Sequence, residues 1–74
     1  MEDHFPWGYL QLQLFIQDSR IHTLRVYTDA TDHTLSDTVS QALSQVPFSV
    51  EEMSRAVSHL NIAEDLAQLF HKAL

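Results

Sequence analysis

The first half of the chain alternates between apolar and polar or aromatic positions with a period of two residues. Over Tyr9–Ile16, four aliphatic side chains fall on one face, and glutamines and aromatic residues fall on the other. This period is typical of an antiparallel strand with one buried face. The predicted buried face consists of Leu10, Leu12, Leu14 and Ile16.

A tight turn and a return strand follow. Gln17–Arg20 contains short polar residues that hydrogen-bond to their own backbone in turns. Ile21–Thr28 is then predicted to form the second strand of a hairpin. Met1–Phe5 can pair with this hairpin as a short edge strand, which Pro6 and Gly8 would end. On the return strand, the predicted inward residues are Leu24 and Val26, and the outward residues are Arg25 and Tyr27.

The second half of the chain changes to helical spacing. A first helix is predicted to begin at Asp32 or Thr34 and to stop before Pro47, whose ring disfavours helical angles in the preceding residue. Ser49 begins a capping box for a second helix, and Asn61 is the predicted N-cap of a third. The predicted buried positions are Leu35, Val39, Ala42, Leu43 and Val46 in the first helix, Val50, Met53, Val57 and Leu60 in the second, and Ile62, Leu66, Leu69 and Phe70 in the third.

Strands followed by helices predict an α+β fold rather than a parallel β–α–β fold. We expect a small two-layer domain in which an antiparallel hairpin is covered by about three α-helices. The sheet has three strands if the N-terminal segment pairs. The 74 residues suffice for one domain only, so 1–74 is predicted to be a single unit. With 45% hydrophobic and 19% charged residues, the composition is that of a folding chain.

The net charge restricts the kinds of molecule that the chain can bind. Ten acidic residues against four Lys and Arg residues give a net charge of −6. We expect no nucleic-acid partner, because binding to nucleic acid depends on cations that neutralise phosphates. The chain has no cysteine, which excludes disulfides and thiol chemistry. Its longest apolar run is far too short to cross a membrane and no signal segment opens the chain, so we expect a soluble, cytoplasmic protein without a membrane partner.

No group of residues in the sequence predicts an active site. Acids and histidines cluster around the end of the second strand, but loop acids before a helix are more often caps and dipole partners than metal ligands. No serine lies in a nucleophile elbow, and a single glycine cannot build a loop that cradles phosphate. We therefore expect no catalytic, cofactor-binding or metal-binding residue. The group considered as metal ligands consists of His22, Asp29, Asp32 and His33.

Five aromatic residues are predicted to crowd one end and one face of the hairpin. Because the helices are expected to cover the leucine face, the other face stays open. The aromatic residues either pack among themselves and close the sheet edge, or form a docking face for another protein. The candidate interface residues are Phe5, Trp7, Tyr9, Phe15 and Tyr27.

Three motifs follow one another in a specific order. They are Phe5-Pro6-Trp7-Gly8, an alternating Tyr-Leu-Gln-Leu-Gln-Leu strand, and a second strand that ends in Thr28-Asp29. Their order and spacing resemble the C-terminal accessory domain of lipoate–protein ligases, from Phe5 to about Phe70. The sequence departs from the family's pattern at Ser19, since the family often has glycine in the hairpin turn.

The resemblance implies a role in protein lipoylation. Such ligases use ATP and magnesium to convert lipoate to lipoyl-AMP, and then transfer the lipoyl group to a lysine of an acceptor domain. The small domain supports the first of these steps, and the catalytic residues lie in a large domain. We therefore expect this chain to bind no cofactor alone, not to be an enzyme by itself, and to partner with the large catalytic domain in the same or a separate chain. The alternative is a stand-alone acidic protein-interaction module with no role in lipoylation.

Overall fold

A computed structural model describes all 74 residues of the chain. The first part forms one antiparallel sheet with the strand order β1-β2-β3. The N-terminal segment pairs with the hairpin, so the three-stranded form of the predicted sheet is confirmed. The strands are β1 (Glu2–Phe5), β2 (Gly8–Gln17) and β3 (Arg20–Thr28).

Three helices follow the sheet and lie against one of its faces. They are α1 (Leu35–Leu43), α2 (Val50–Ala56) and α3 (Ala63–Ala73). The first packs against β3, the third packs against β1, and α2 packs against α3. The predicted α+β, two-layer domain is confirmed.

Helices and sheet share one core made only of apolar side chains. The even-numbered side chains near the start of β2 meet the apolar stripes of all three helices, as the spacing predicts. No polar or charged residue is buried. The buried residues are Leu10, Leu12, Ile21, Leu35, Val39, Leu43, Met53, Val57, Leu66, Leu69 and Phe70.

The β2–β3 hairpin closes through a two-residue turn of type I′. Both central residues have positive φ, 54° at Asp18 and 63° at Ser19, between the paired residues Gln17 and Arg20. This turn type matches the twist of the flanking strands and usually has glycine second. Ser19 therefore adopts a left-handed conformation that is unfavourable for a residue with a Cβ atom.

Ser19→Gly should stabilise the domain by about 0.5–1 kcal/mol, because glycine adopts positive φ without steric cost. The measurement is the urea midpoint of unfolding at constant m-value. Ser44→Gly is the matched control, since Ser44 has a φ of −61° and gains nothing from glycine. We expect this control to destabilise the domain slightly. A Ser19→Gly midpoint at or below that of the wild type would contradict the explanation.

A β-bulge interrupts the pairing of β2 with β3 near the hairpin turn. The register shifts between Phe15 and Ile16, so that Ile16 lies opposite Ile21 and His22 has no partner. The extra residue turns Ile21 into the core, where it is fully buried. Ile16 was expected on the buried face, but it is 42% exposed. It lies beyond the end of β1 and close to the hairpin tip, where neighbouring elements cover it poorly.

The predicted helix ends are confirmed only in part. Ser49 caps α2, since its hydroxyl accepts the Glu52 amide at 3.2 Å. The first helix ends at Leu43, before Pro47, because Gln45 takes a φ of 65°. The prediction of Asn61 as an N-cap is wrong. The chain makes a further turn before α3, which starts without a side-chain cap.

Candidate functional site

The Phe-Pro-Trp-Gly segment forms the corner between β1 and β2. Gly8 has a φ of 141°, a value that side-chain-bearing residues rarely adopt. A Cβ atom at this position would lie 2.7 Å from Asp29 Oδ1 and 3.3 Å from the backbone of Ala30. The absence of a side chain therefore lets the end of β3 approach the corner closely.

Two polar side chains attach the end of β3 to this corner. Asp29 Oδ1 accepts the Tyr9 amide at 2.7 Å. The Thr28 hydroxyl donates to the Tyr9 carbonyl at 2.6 Å and accepts the Ala30 amide at 3.1 Å. The two most specific pieces of the sequence motif, the Trp-Gly corner and the Thr-Asp strand end, thus meet in space and hold each other in place.

Trp7 connects the corner to the helices. Its indole Nε1 donates to Asp65 Oδ2 at 2.7 Å, at the start of α3. Its ring stacks on Phe5, with centroids 5.0 Å apart and planes 10° apart. Both aromatic residues are half-buried and pack against the core. They therefore position α3 relative to the β1–β2 corner.

Trp7→Phe should lower the free energy of unfolding by about 1–2 kcal/mol, because it removes the donor and leaves a partly buried carboxylate without its partner. Urea unfolding followed by circular dichroism measures the loss. Asp65→Asn is the control, since its side-chain oxygen still accepts from the indole, and it should lose less. Equal stability of Trp7→Phe and the wild type would mean that the indole–carboxylate bond contributes nothing.

A groove of about 300 Å³ opens beside Trp7. The β3–α1 loop, α1 and the segment between α2 and α3 form its other walls. Asp32, at its rim, accepts the amide and the hydroxyl of Thr34 at 2.9 and 2.6 Å, and these bonds lower the pKa of Asp32. The remaining lining residues are Ala30, Thr31, Leu35, Thr38, Leu60, Asn61 and Ile62.

The sheet face opposite the helices is open and carries aromatic side chains. Phe15 and Tyr27 are 49% and 47% exposed. The Arg25 guanidinium carbon lies 5.9 Å from the centre of the Phe15 ring, within cation–π range. We call this surface the outer sheet face and define it by Tyr9, Gln11, Gln13, Phe15, Arg25 and Tyr27.

Tyr9 lies at the β1 side of the outer sheet face. Its hydroxyl donates to the Glu2 carboxylate, and its ring centre lies 4.8 Å from that of His4. The hydrogen bond to Glu2 stabilises the neutral phenol, so the pKa of Tyr9 is raised above its ordinary value of 10.0.

Spectrophotometric titration should therefore show a tyrosine that ionises above pH 10.0, the ordinary value. Tyr9→Phe should abolish this component, and Glu2→Gln should shift it to lower pH. Because the folded-state pKa is the raised one, the bond stabilises the fold below the ordinary pKa and is lost as pH rises through the folded value. A titration of Glu2→Gln identical to that of the wild type would contradict the assignment.

The five candidate interface residues do not share one face. Phe5 pairs opposite Gly8, which places it on the same side of the sheet as Leu10. Phe5 and Trp7 therefore belong to the helix-covered side at the corner end of the hairpin, and an interface role for the five residues stays a prediction. The residues that remain on the outer sheet face are Tyr9, Phe15 and Tyr27.

An ion pair links the last helix to the first strand. Lys72 Nζ donates to Asp3 Oδ2 at 3.1 Å, and Asp3 Oδ1 accepts the His4 amide at 2.8 Å. These two bonds, first that to Lys72 and then that to the amide, hold the pKa of Asp3 below its ordinary value of 3.8. The pair is exposed. Its relevance here is that it holds the Asp3 carboxylate at the edge of β1.

Comparison with protein families identifies the chain. The family described as the bacterial lipoate protein ligase C-terminus matches residues 1–74, which is the whole chain. The chain belongs to this family. A search of curated proteins gives no match. The resemblance in the motif order is thus confirmed, and this ligase domain is expected to associate with the catalytic part of a lipoate protein ligase.

The loop acids of this ligase domain serve as backbone acceptors. Asp29 accepts from Tyr9 and Asp32 accepts from Thr34. No group of three or more His, Asp or Glu side chains could hold a metal ion, so the cluster of His22, Asp29, Asp32 and His33 does not converge. None of the three helices has the length and apolar character that a membrane span requires.

The sequence reasoning missed one residue of the corner in this ligase domain. Asp65 was seen only as an acid at a helix start, yet it is the acceptor of the Trp7 indole. The two residues are 58 positions apart, and no local pattern connects them. The only sequence signal was that a tryptophan in a folded domain needs an acceptor for its N–H group.

Proposed function

We propose that this domain supports the ATP-dependent activation of lipoate to lipoyl-AMP by the catalytic part of the ligase. The observation that carries the proposal is the match to the ligase C-terminal family over the whole chain. In this proposal ATP, magnesium and lipoate are bound by the catalytic part, and the small domain acts by docking on it. A single apolar core that joins the sheet to all three helices suits a body that moves and docks as one unit.

The outer sheet face is the proposed docking surface for the catalytic part. The helices occupy the other face, so the aromatic side chains of Phe15 and Tyr27 stay about half exposed. Exposed aromatic residues on a sheet face are favoured at protein interfaces and often dominate their binding energy. Arg25 beside Phe15 adds a cation at the centre of this surface.

Docking would help the first half-reaction by protecting its product. Lipoyl-AMP is a mixed anhydride, which water hydrolyses. A domain that closes over the catalytic part excludes water and holds the reacting groups together. The small domain then raises the yield of lipoyl-AMP without contributing a reacting group.

Pyrophosphate release tests this function. The assay mixes the catalytic part of a bacterial lipoate protein ligase from the same organism with ATP, magnesium, lipoate and increasing amounts of this chain. We expect the chain to raise the rate of release and to show no turnover alone. No stimulation over a broad concentration range would reject the proposal.

Variants of the outer sheet face locate the docking surface in the same assay. Phe15→Ser and Tyr27→Ser should raise the concentration needed for half-maximal stimulation by about tenfold, the effect of losing a modest hot spot. Phe48→Ser is the control, because Phe48 is exposed but lies outside the outer sheet face. An equal effect of all three variants would argue against this surface.

The alternative of a stand-alone interaction module makes a different prediction. If the chain stimulates no ligase and instead binds one consistent partner of another kind, the alternative is favoured. The acidic net charge of −6 is the feature that such a partner would have to complement.

A further inference from the structure

The middle strand β2 extends well beyond its neighbour β1. The pairing of β1 with β2 ends at Glu2, which lies opposite Gln11. Met1 adds one more pair with Leu12. In that pair, the Leu12 amide donates to the Met1 carbonyl at 2.7 Å and the Met1 amine donates to the Leu12 carbonyl at 2.9 Å. Beyond Leu12, no strand lies on this side of β2.

The unpaired stretch presents free backbone groups. In an antiparallel ladder, alternate residues direct both backbone groups to the same neighbour. Since Leu12 bonds to the β1 side, the same alternation turns Leu14 and Ile16 towards this side. No backbone bond outside the strand ladders and no side-chain bond engages either residue. We call this stretch, Gln13–Gln17, the open edge of β2.

Parts of the other two edges of the sheet are protected. The His4 amide, on the outer edge of β1, is taken by the Asp3 carboxylate at 2.8 Å. Near the hairpin, the outer edge of β3 is covered because Ile21 exchanges hydrogen bonds with Val46 and Gln45 at 2.9 and 2.8 Å. The first helix packs against β3 and the third against β1. An edge left without such protection is suited to strand addition.

Exposed apolar side chains lie along the open edge. Ile16 belongs to it, and Phe15 lies on its outer face. Both are among the large apolar residues that the domain leaves exposed. A segment lying along the open edge would cover them together with the free backbone groups.

We propose that an extended segment of the catalytic part of the ligase pairs with the open edge of β2, antiparallel to β2 and in line with β1. This inference rests on the proposed function and specifies how the two parts bind. Free backbone donors and acceptors select an extended segment rather than a helix, since only a strand presents matching groups at this spacing. The added segment would lie next to Phe15, so the contact is continuous with the outer sheet face.

Ile16→Lys tests the contact by placing a charge on the open edge, the device by which natural edge strands avoid pairing. We expect at least a tenfold weaker association with the catalytic part from the same organism, measured by isothermal titration calorimetry. Phe48→Lys is the matched control, because it makes the same kind of change at a side chain that is 38% exposed and lies beyond β3, on the other side of the hairpin from the open edge. We expect the control to bind within twofold of the wild type. Thermal unfolding shows whether both variants remain folded.

Amide hydrogen exchange, followed by NMR on the wild-type domain, gives a second readout that needs no variant. On adding the catalytic part, the amides of Leu14 and Ile16 should exchange at least tenfold more slowly. The His4 amide, already bonded to Asp3, should change little. Protection that grows with the concentration of the domain alone would identify a second copy of this chain as the occupant and would overturn the proposal.

The two proposals fail in different ways. If the wild type stimulates pyrophosphate release while the amides of Leu14 and Ile16 stay unprotected, the strand addition is wrong and the proposed function stands. If the wild type neither binds nor stimulates the catalytic part, the proposed function fails and the strand addition with it.

Discussion

Phe70→Ala should remove a large share of the free energy of unfolding at 25 °C. Phe70 lies on α3, and its side chain is fully buried in the core. Truncating a buried phenylalanine costs about 3–5 kcal/mol, because transfer free energy is lost and a cavity remains. A domain of this length has a total stability of roughly 4–11 kcal/mol. Urea unfolding and the melting temperature measure the loss, which should be the largest of any single truncation in this domain.

Leu74→Ala is the control for that prediction. Leu74 follows α3 by one residue and is exposed, so its truncation removes few contacts. We expect its effect to stay within about 0.5 kcal/mol. Similar losses for Phe70→Ala and Leu74→Ala would show that α3 does not pack as described, since only a buried side chain should respond strongly.

The helical part of the core could be predicted from the sequence because its signal is local. Met53 and Val57 of the second helical segment, and Leu66, Leu69 and Phe70 of the third, recur at helical spacing, and all five are buried. The spacing alone determines which side of a helix is apolar. Tertiary packing then needs only to bring that side against the sheet.

The hairpin could be predicted only in part because a bulge depends on the partner strand. Alternation from Leu24 and Val26 would turn Ile21 outward, whereas the shift between Phe15 and Ile16 turns it into the core. Nothing within β3 alone shows that His22 will be left without a partner. The register is a property of two strands and of the turn that joins them.

The prediction of the candidate interface was incomplete for the same reason. Aromatic residues could be identified from the sequence, but their faces depend on how β1 pairs with β2. That pairing is determined at Gly8, whose positive φ allows a tight corner and places Phe5 on the helix-covered side. Only the residues within the long β2–β3 pairing, such as Phe15 and Tyr27, could be assigned to the open face by alternation.

Gly8→Ala should destabilise the domain by at least about 2 kcal/mol, combining the strain of an unfavourable φ with a steric conflict. The new Cβ atom would lie 2.7 Å from Asp29 Oδ1, so this carboxylate would have to move away from the Tyr9 amide that it accepts. The attachment of β3 to the corner would weaken at the same time. Urea unfolding at constant m-value measures the loss.

A double-mutant cycle with Asp29→Ala separates the two causes of that loss. In this background the conflict with the carboxylate is absent, whereas the positive φ and the close backbone of Ala30 remain. Gly8→Ala should therefore cost less here than in the wild type, with a coupling of about 0.5–3 kcal/mol, as for residues in direct contact. Strict additivity would contradict the conflict with Asp29 and leave the positive φ and the close backbone of Ala30 as the causes. A loss that vanishes in the Asp29→Ala background would instead show that the positive φ of the corner costs nothing, because the chain can relax once the carboxylate is gone.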